Sequence, residues 1–368
     1  MKSECIAFVR APDLYCQTAS SQQWTAFIDE ARQYALLGSC YFVAQDSGVW
    51  SRIPAAVQNH LISGYHYAEK QKITLLNEMI ELENVFANSA IPALLVKGVA
   101  YRVDGYALAR GRVFSDIDLL VPDSHFAEAL ERLKNAGYLE FSMSAYDRRY
   151  YLRWTHQHPP LTHFLRGANI DLHHHIFPVS SRENILVDPI VENAVPLTDS
   201  AFSVPSPAHL FMHAAVHLFY QDETHKLVKD LVDLYQLYQE VTSRQPFSDL
   251  VRAAQQSNAQ AAVFYALSTL QQVFAIQLPA EAGQLAPAAS HYRRWQMQFL
   301  LTHLLDPTSW WHRPAHFFWF VRGHLLKMGP LTLIYHSVAK SIEQFKERRE
   351  LSLKQQQADK QARPGDAH

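Results

Sequence analysis

The sequence predicts an α+β protein, with a strand-bearing core between about residues 90 and 200 and helices before and after it. Three observations carry this prediction. Apolar residues at helical spacing fill residues 20–90, short apolar runs ending in Gly, Pro or Asp turn signals fill the middle, and helical spacing returns after Ser206-Pro207. The 368 residues then divide into an N-terminal helical segment (1–88), a core (89–204), a C-terminal helical domain (205–346) and a polar tail (347–368) expected to be disordered.

Each element has a local reason. Ser21 opens a helix in which Trp24, Phe27, Ile28 and Ala31 share a face. A second helix runs from about Ile53 to Glu83, rich in Glu, Lys, Gln and Leu, with no Pro after Pro54. This segment shows no evident chemistry and reads as a helical lid or buttress. Ala93-Leu94-Leu95-Val96 is a buried strand closed by Lys97-Gly98, with a helix from about Val99. Phe114 to Val121 is a second strand, stopped by Pro122. Asp123-Ser124 is expected to cap a helix that carries Phe126, Ala127, Leu130 and Leu133 and ends at Gly137. Leu161–Arg166 and Asn169–Phe177 flank Gly167-Ala168 as a hairpin. Leu197 to Pro207 reads as a linker, with Ser206 as N-cap and Pro207 at the first helical position. Helices continue to about residue 345, with breaks expected at Asp306-Pro307, Pro314 and Gly329-Pro330.

Composition narrows the function classes. At 48% hydrophobic and 18% charged residues the chain can build a core, which excludes disorder of the whole. A net charge of -2 removes the basic excess of a nucleic-acid binder. Three cysteines, Cys5, Cys16 and Cys40, match no paired zinc spacing or disulfide scaffold, so a reducing cytoplasm is expected. The N-terminus has no apolar stretch of signal-peptide length, and no run approaches the roughly 20 residues of a spanning helix. The aromatic segment 310–328, densest at Phe317-Phe318-Trp319-Phe320-Val321, reads as core, with peripheral contact to a membrane surface as the alternative.

The chemistry concentrates in Ser115-Asp116-Ile117-Asp118-Leu119-Leu120-Val121. On a strand, Asp116 and Asp118 share one face while Ile117 and Leu119 point to the core. Two carboxylates so close repel unless a cation neutralises them, and paired hard oxygens suit Mg²⁺, with Mn²⁺ as its substitute. Lys97-Gly98 lies upstream, where a glycine lets backbone approach phosphate oxygens at a helix start. Arg102, Arg110 and Arg112 lie between the glycine and the carboxylates. Downstream, Asn169-Ile170-Asp171-Leu172-His173 offers a third carboxylate, Asp171, with His173 on the same side of a second strand. Three carboxylates, a glycine turn and arginines compose a metal–triphosphate site. No Walker A, G-x-G-x-x-G or G-x-S-x-G sequence occurs.

These residues resemble the DNA polymerase β-like nucleotidyltransferase superfamily, and within it a bacterial family of uncharacterised nucleotidyltransferases. The matching text is Leu94-Leu95-Val96-Lys97-Gly98, Arg112, Ser115 to Val121, Asp171-Leu172-His173, His213-Ala214-Ala215-Val216-His217 and Lys229 to Leu234, spanning roughly residues 90 to 235. The resemblance implies a mixed-sheet core and transfer of an NMP from an NTP, ATP favoured, to a small-molecule, peptide or protein acceptor with release of pyrophosphate. It implies Asp116, Asp118 and Asp171 as catalytic metal ligands, and Lys97, Gly98, Arg112 and Ser115 as nucleotide contacts. His173, His213, His217 and Asp230 are the implied pocket lining. The superfamily's usual Gly-Ser or Gly-Gly turn is replaced here by Gly98-Val99, so the phosphate contact of its second residue falls to backbone amides, Lys97 or Ser115.

Other readings stand beside this one. A non-catalytic nucleotide-binding or regulatory module on the same fold is one. A His-rich metal-dependent hydrolase is another: His209, His213 and His217 recur every four residues, and His173, His174 and His175 follow His156, His158 and His163. No Glu follows His213, so the H-E-x-x-H motif is absent. Lys229 and Asp233 are spaced for an i,i+4 ion pair, and Lys226 and Asp230 share their helix. Tyr146 to Trp154 interleaves Arg148, Arg149 and Arg153 with aromatics, as a nucleotide or polyanion contact or as a solvated helix face.

Overall fold

The computed structural model describes residues 3–140, 155–179, 181–288, 290–329 and 333. The basic-aromatic run at 146–154 and the polar tail at 347–368 lie outside the described residues.

Helices lead the chain: α1 (Glu4–Arg10), α2 (Pro12–Thr18), α3 (Ser21–Gln33), α4 (Leu37–Asp46) and α5 (Ala55–Phe86). A Ser20/Gln23 capping box starts α3, and its predicted face buries Trp24, Phe27 and Ala31. Phe8 of α1 and Tyr15 of α2 close on that face, 5.0 Å from Phe27 and 5.0 Å from Trp24 respectively. α4 packs along α5. All three cysteines are free thiols.

The core alternates strands and helices: β1 (Ala93–Val96), α6 (Lys97–Val103), β2 (Ile117–Leu120), α7 (Asp123–Asn135), β3 (Tyr138–Glu140), β4 (Leu161–His163), β5 (Asn169–His173), α8 (Asp188–Glu192), β6 (Val195–Pro196) and β7 (Phe202–Val204). Among the described residues these seven strands form one mixed sheet in the order β3-β4-β5-β2-β1-β7-β6. β2 pairs antiparallel with β1 and parallel with β5, so both its sides are occupied and all four residues are buried. The predicted hairpin is present as β4 and β5, turning through Gly167 at φ 69°.

Several expectations need correction. The second strand is shorter than Phe114 to Val121, spanning Ile117–Leu120. α6 begins at Lys97 rather than Val99. Asp123 and Ser124 lie inside the first turn of α7, whose N-cap is Pro122. The supposed linker contains β7, because Phe202 and Val204 are apolar enough to pair beside β1 and be buried there.

Helices follow: α9 (Pro207–Tyr220), α10 (Leu227–Arg244), α11 (Phe247–Gln256), α12 (Gln260–Phe274), α13 (His291–Leu304) and α14 (His312–Lys327). α9 is their hub and packs against α10, α11 and α12. Ser206 and Pro207 start it as predicted, but the Ser206 hydroxyl hydrogen-bonds the His209 ring at 2.8 Å instead of capping a backbone amide. Pro314 breaks nothing, because it falls in the first turn of α14, where a missing N–H costs no helical bond. The aromatic segment divides: Trp319 is fully buried, while Trp310 is 80% exposed and Phe317, Phe318 and Phe320 face outward.

Candidate active site

Strand pairing builds the site. In the β1–β2 ladder Val96 is the partner of Asp118, so the residue after β1, Lys97, emerges beside that carboxylate. In the β2–β5 ladder Asp118 is the partner of Asp171, and register partners on parallel strands share a face. His173, two residues along β5, lies on that same face. The outcome is a short polar row across the middle of the sheet.

Asp118 is the most enclosed of the carboxylates, at 4% exposure. Its Oδ1 accepts from Lys97 Nζ at 2.6 Å and from His173 Nε2 at 3.0 Å. Burial alone would raise the Asp118 pKa, but the Lys97 ammonium and the His173 hydrogen bond overcome it and hold the carboxyl far below the usual range. Burial and the Lys97 charge push His173 below its usual value, so the ring is neutral and carries its proton on Nε2. Lys97 reaches this position with φ 54°, a left-handed conformation that costs a non-glycine residue about 1 kcal/mol or more.

Asp171 shifts the other way. Burial, then the Asp118 and Asp116 charges, push its pKa up to about 7. Asp116 stands just before β2, where its Oδ1 accepts from Ser115 Oγ at 2.9 Å. Asp118, Asp171 and His173 offer ligand atoms within 4.8 Å of one another. Asp116 lies outside that grouping. His173 is held by Asp118, and the oxygens of Asp116, Asp118 and Asp171 are the donors that a hard dication takes.

A second polar layer lies beside the first, with its Arg112 guanidinium against Gly98. Arg112 Nε donates to Asp233 Oδ2 at 3.0 Å, and Lys229 Nζ donates to the same oxygen at 2.6 Å. Gly98 makes room for this guanidinium: a Cβ there would collide with Arg112 Nη1 and meet Arg112 Cζ at 3.0 Å. The i,i+4 pairing of Lys229 with Asp233 is present as predicted, but the same carboxylate also anchors Arg112 from 121 residues away. Burial raises the pKa of Asp230, which accepts from Gln221 Nε2 at 3.4 Å.

Both layers open onto one cleft of about 760 Å³. Lys97, Gly98, Arg112, Ser115, Asp116, Asp118, Asp171, His217 and Asp230 all line it. His173 and His213 do not: His173 is buried behind Asp118, and His213 is 3% exposed one turn before His217 on α9. Burial and the Lys97 charge push His213 down to about 3 and His217 well below its usual value, so both are neutral. Sequence reasoning missed other walls of the cleft, namely Gln33, Tyr34 and Ala35 at the end of α3 and Gln157 before β4, while His156 was noted only as one of the clustered histidines. None of these belongs to a motif. A separate cavity of about 500 Å³ near Phe264 and Arg294 has no carboxylate in its lining.

His209, His213 and His217 do not gather at ligand spacing among the described residues, and His209 turns its Nδ1 to Ser206. A family model described as uncharacterised nucleotidyltransferase matches residues 20–275. No curated protein and no solved structure matches the chain.

Proposed function

The chain belongs to the family of uncharacterised nucleotidyltransferases, and from that premise we propose that it moves a nucleoside monophosphate from an NTP, ATP favoured, to an acceptor hydroxyl on a small molecule, peptide or protein. The observation that carries this reading is the in-register pair Asp118 and Asp171, with Lys97 on one side, at the floor of a cleft large enough for a nucleotide. Asp116, Asp118 and Asp171 would hold Mg²⁺, or Mn²⁺ in its place. When bound, such an ion supplies Lewis-acid polarisation of the α-phosphate and a lower acceptor pKa.

The chain's own groups do the rest. Asp118, fully ionised, orients Lys97 and His173. Lys97 and, beside Gly98, the Arg112–Lys229 pair supply positive charge for the triphosphate. The acceptor oxygen attacks the α-phosphorus in line, the bond from that phosphorus to the bridging oxygen breaks, and pyrophosphate leaves. Asp171, the carboxylate nearest the acceptor, receives the acceptor's proton. His217, Asp230 and the walls after α3 would shape the acceptor end.

The test is pyrophosphate release from a panel of NTPs with Mg²⁺, with and without candidate acceptors. Acceptor-dependent release that is lost in Asp116→Asn supports the reading. Nucleotide binding without release would favour a regulatory module instead.

A further inference from the structure

Two of the histidines noted in the sequence, His174 and His175, take no part in the cleft lining. β2 and β5 run parallel and end at the same edge of the sheet. Their ladder continues past β2, with Val121 N donating to His173 O at 2.9 Å. Pro122 then starts α7 and puts Asp123 in its first turn, while β5 runs out into His174-His175. The amides of both histidines donate to His156 O, at 3.0 and 3.2 Å, and this shared acceptor bends the pair toward α7. His174 Nδ1 hydrogen-bonds Asp123 Oδ1 at 2.8 Å, a proton a metal ion would displace, and His175 Nε2 lies 3.8 Å from Asp123 Oδ2.

We propose that Asp123, His174 and His175 form a binding site for a divalent transition-metal ion of the zinc class, separate from the carboxylate row. One ligand atom from each residue lies within 4.8 Å of the other two. Tetrahedral zinc with bonds of about 2.0–2.1 Å sets its ligand atoms about 3.3 Å apart, and the carboxylate–imidazole separations, one to each Asp123 oxygen, lie within about 0.5 Å of that value. At 3.8 Å the His175 contact is too long for a hydrogen bond, yet both rings turn to opposite oxygens of a single carboxylate. Phe126, in the first turn of α7, packs against the His174 ring at 5.3 Å and fixes its plane. Asp188 adds negative potential beside His175.

The donor set separates this site from the cleft. Two imidazoles and one carboxylate select zinc, cobalt or nickel, whereas carboxylates alone select magnesium or manganese. The Asp123 side chain is 71% exposed, so three protein ligands leave a position open to solvent. A metal here ties together the ends of the two strands that carry Asp118 and Asp171.

The experiment is a Co²⁺ titration of the untagged full chain, read by visible ligand-field absorption and reversed with Zn²⁺. One cobalt per chain should bind. Asp123→Asn, His174→Ala and His175→Ala should each weaken binding by more than about tenfold with an unchanged circular dichroism spectrum. Asp171→Asn should leave the bands in place. Zn²⁺ should raise the melting temperature of the wild type and not that of His175→Ala. The side chain of Asp123 is mostly in solvent, so a loss in Asp123→Asn reports a ligand rather than a fold. Bands that persist in His174→Ala and His175→Ala, bands lost in Asp171→Asn, or no saturable binding would each overturn the proposal.

Discussion

Asp118 and Asp171 are register partners on adjacent parallel strands, and their surroundings drive their acidities apart. Asp118 receives Lys97 and His173 on one oxygen and stays ionised. Asp171, buried and facing the Asp118 and Asp116 charges, is pushed up to about 7. Two carboxylates held in opposite protonation tendencies are how one site supplies both a fixed anion and a proton acceptor.

The Lys97 ammonium is the counter-charge of a nearly inaccessible carboxylate. Lys97→Ala should therefore cost about 3 kcal/mol of stability, the usual effect of stranding a buried charge. The left-handed backbone adds a second test at this position. Lys97→Gly should be about 1 kcal/mol more stable than Lys97→Ala, because only glycine adopts that conformation freely. Urea denaturation of the two variants separates charge from strain.

Asp171 makes a signed prediction for pH. Its folded pKa, about 7, lies above its unfolded value, so the metal-free folded state holds the extra proton. Its contribution to stability is present below the unfolded pKa and is lost as pH rises toward 7. The melting temperature of Asp171→Asn should therefore gain on the wild type as pH rises from about 5 to about 8. Magnesium should oppose the loss, and its affinity should increase over the same range because it displaces that proton. Thermal denaturation with and without Mg²⁺ measures both.

Gly98 and Arg112 should behave as one unit. A Cβ at residue 98 displaces the guanidinium from Asp233, so Gly98→Ala should weaken NTP binding and also lower stability. In an Arg112→Met background the same change should cost almost nothing. A double-mutant cycle on NTP affinity reads this coupling, expected at about 1 kcal/mol or more.

The legible part of the protein was the part written in local pattern. Ala93–Val96 is a short apolar run before Lys97-Gly98, and alternation alone pairs Asp116 with Asp118 and Asp171 with His173 on one face of each strand. What pattern could not carry was pairing. That β1 runs antiparallel to β2, bringing Lys97 onto Asp118, is a property of the sheet and not of either segment. The Arg112–Asp233 contact joins residues 121 apart, and no spacing rule reaches so far. β7 was hidden because three residues of strand are shorter than any periodicity window. α1 and α2 have seven residues each and are held by the aromatic cluster with Trp24 and Phe27 rather than by propensity.

The most direct measurement follows the fate of the α-phosphate. Protein incubated with Mg²⁺, an acceptor extract and either α-labelled or γ-labelled NTP should place the α-label on an acceptor and the γ-label in pyrophosphate. Asp118→Asn should lower that transfer by about a hundredfold or more, the scale expected when a charge that organises the transition state is removed. A γ-label that appears on the acceptor or as free phosphate, with the α-label remaining in the nucleoside diphosphate, would contradict nucleotidyl transfer.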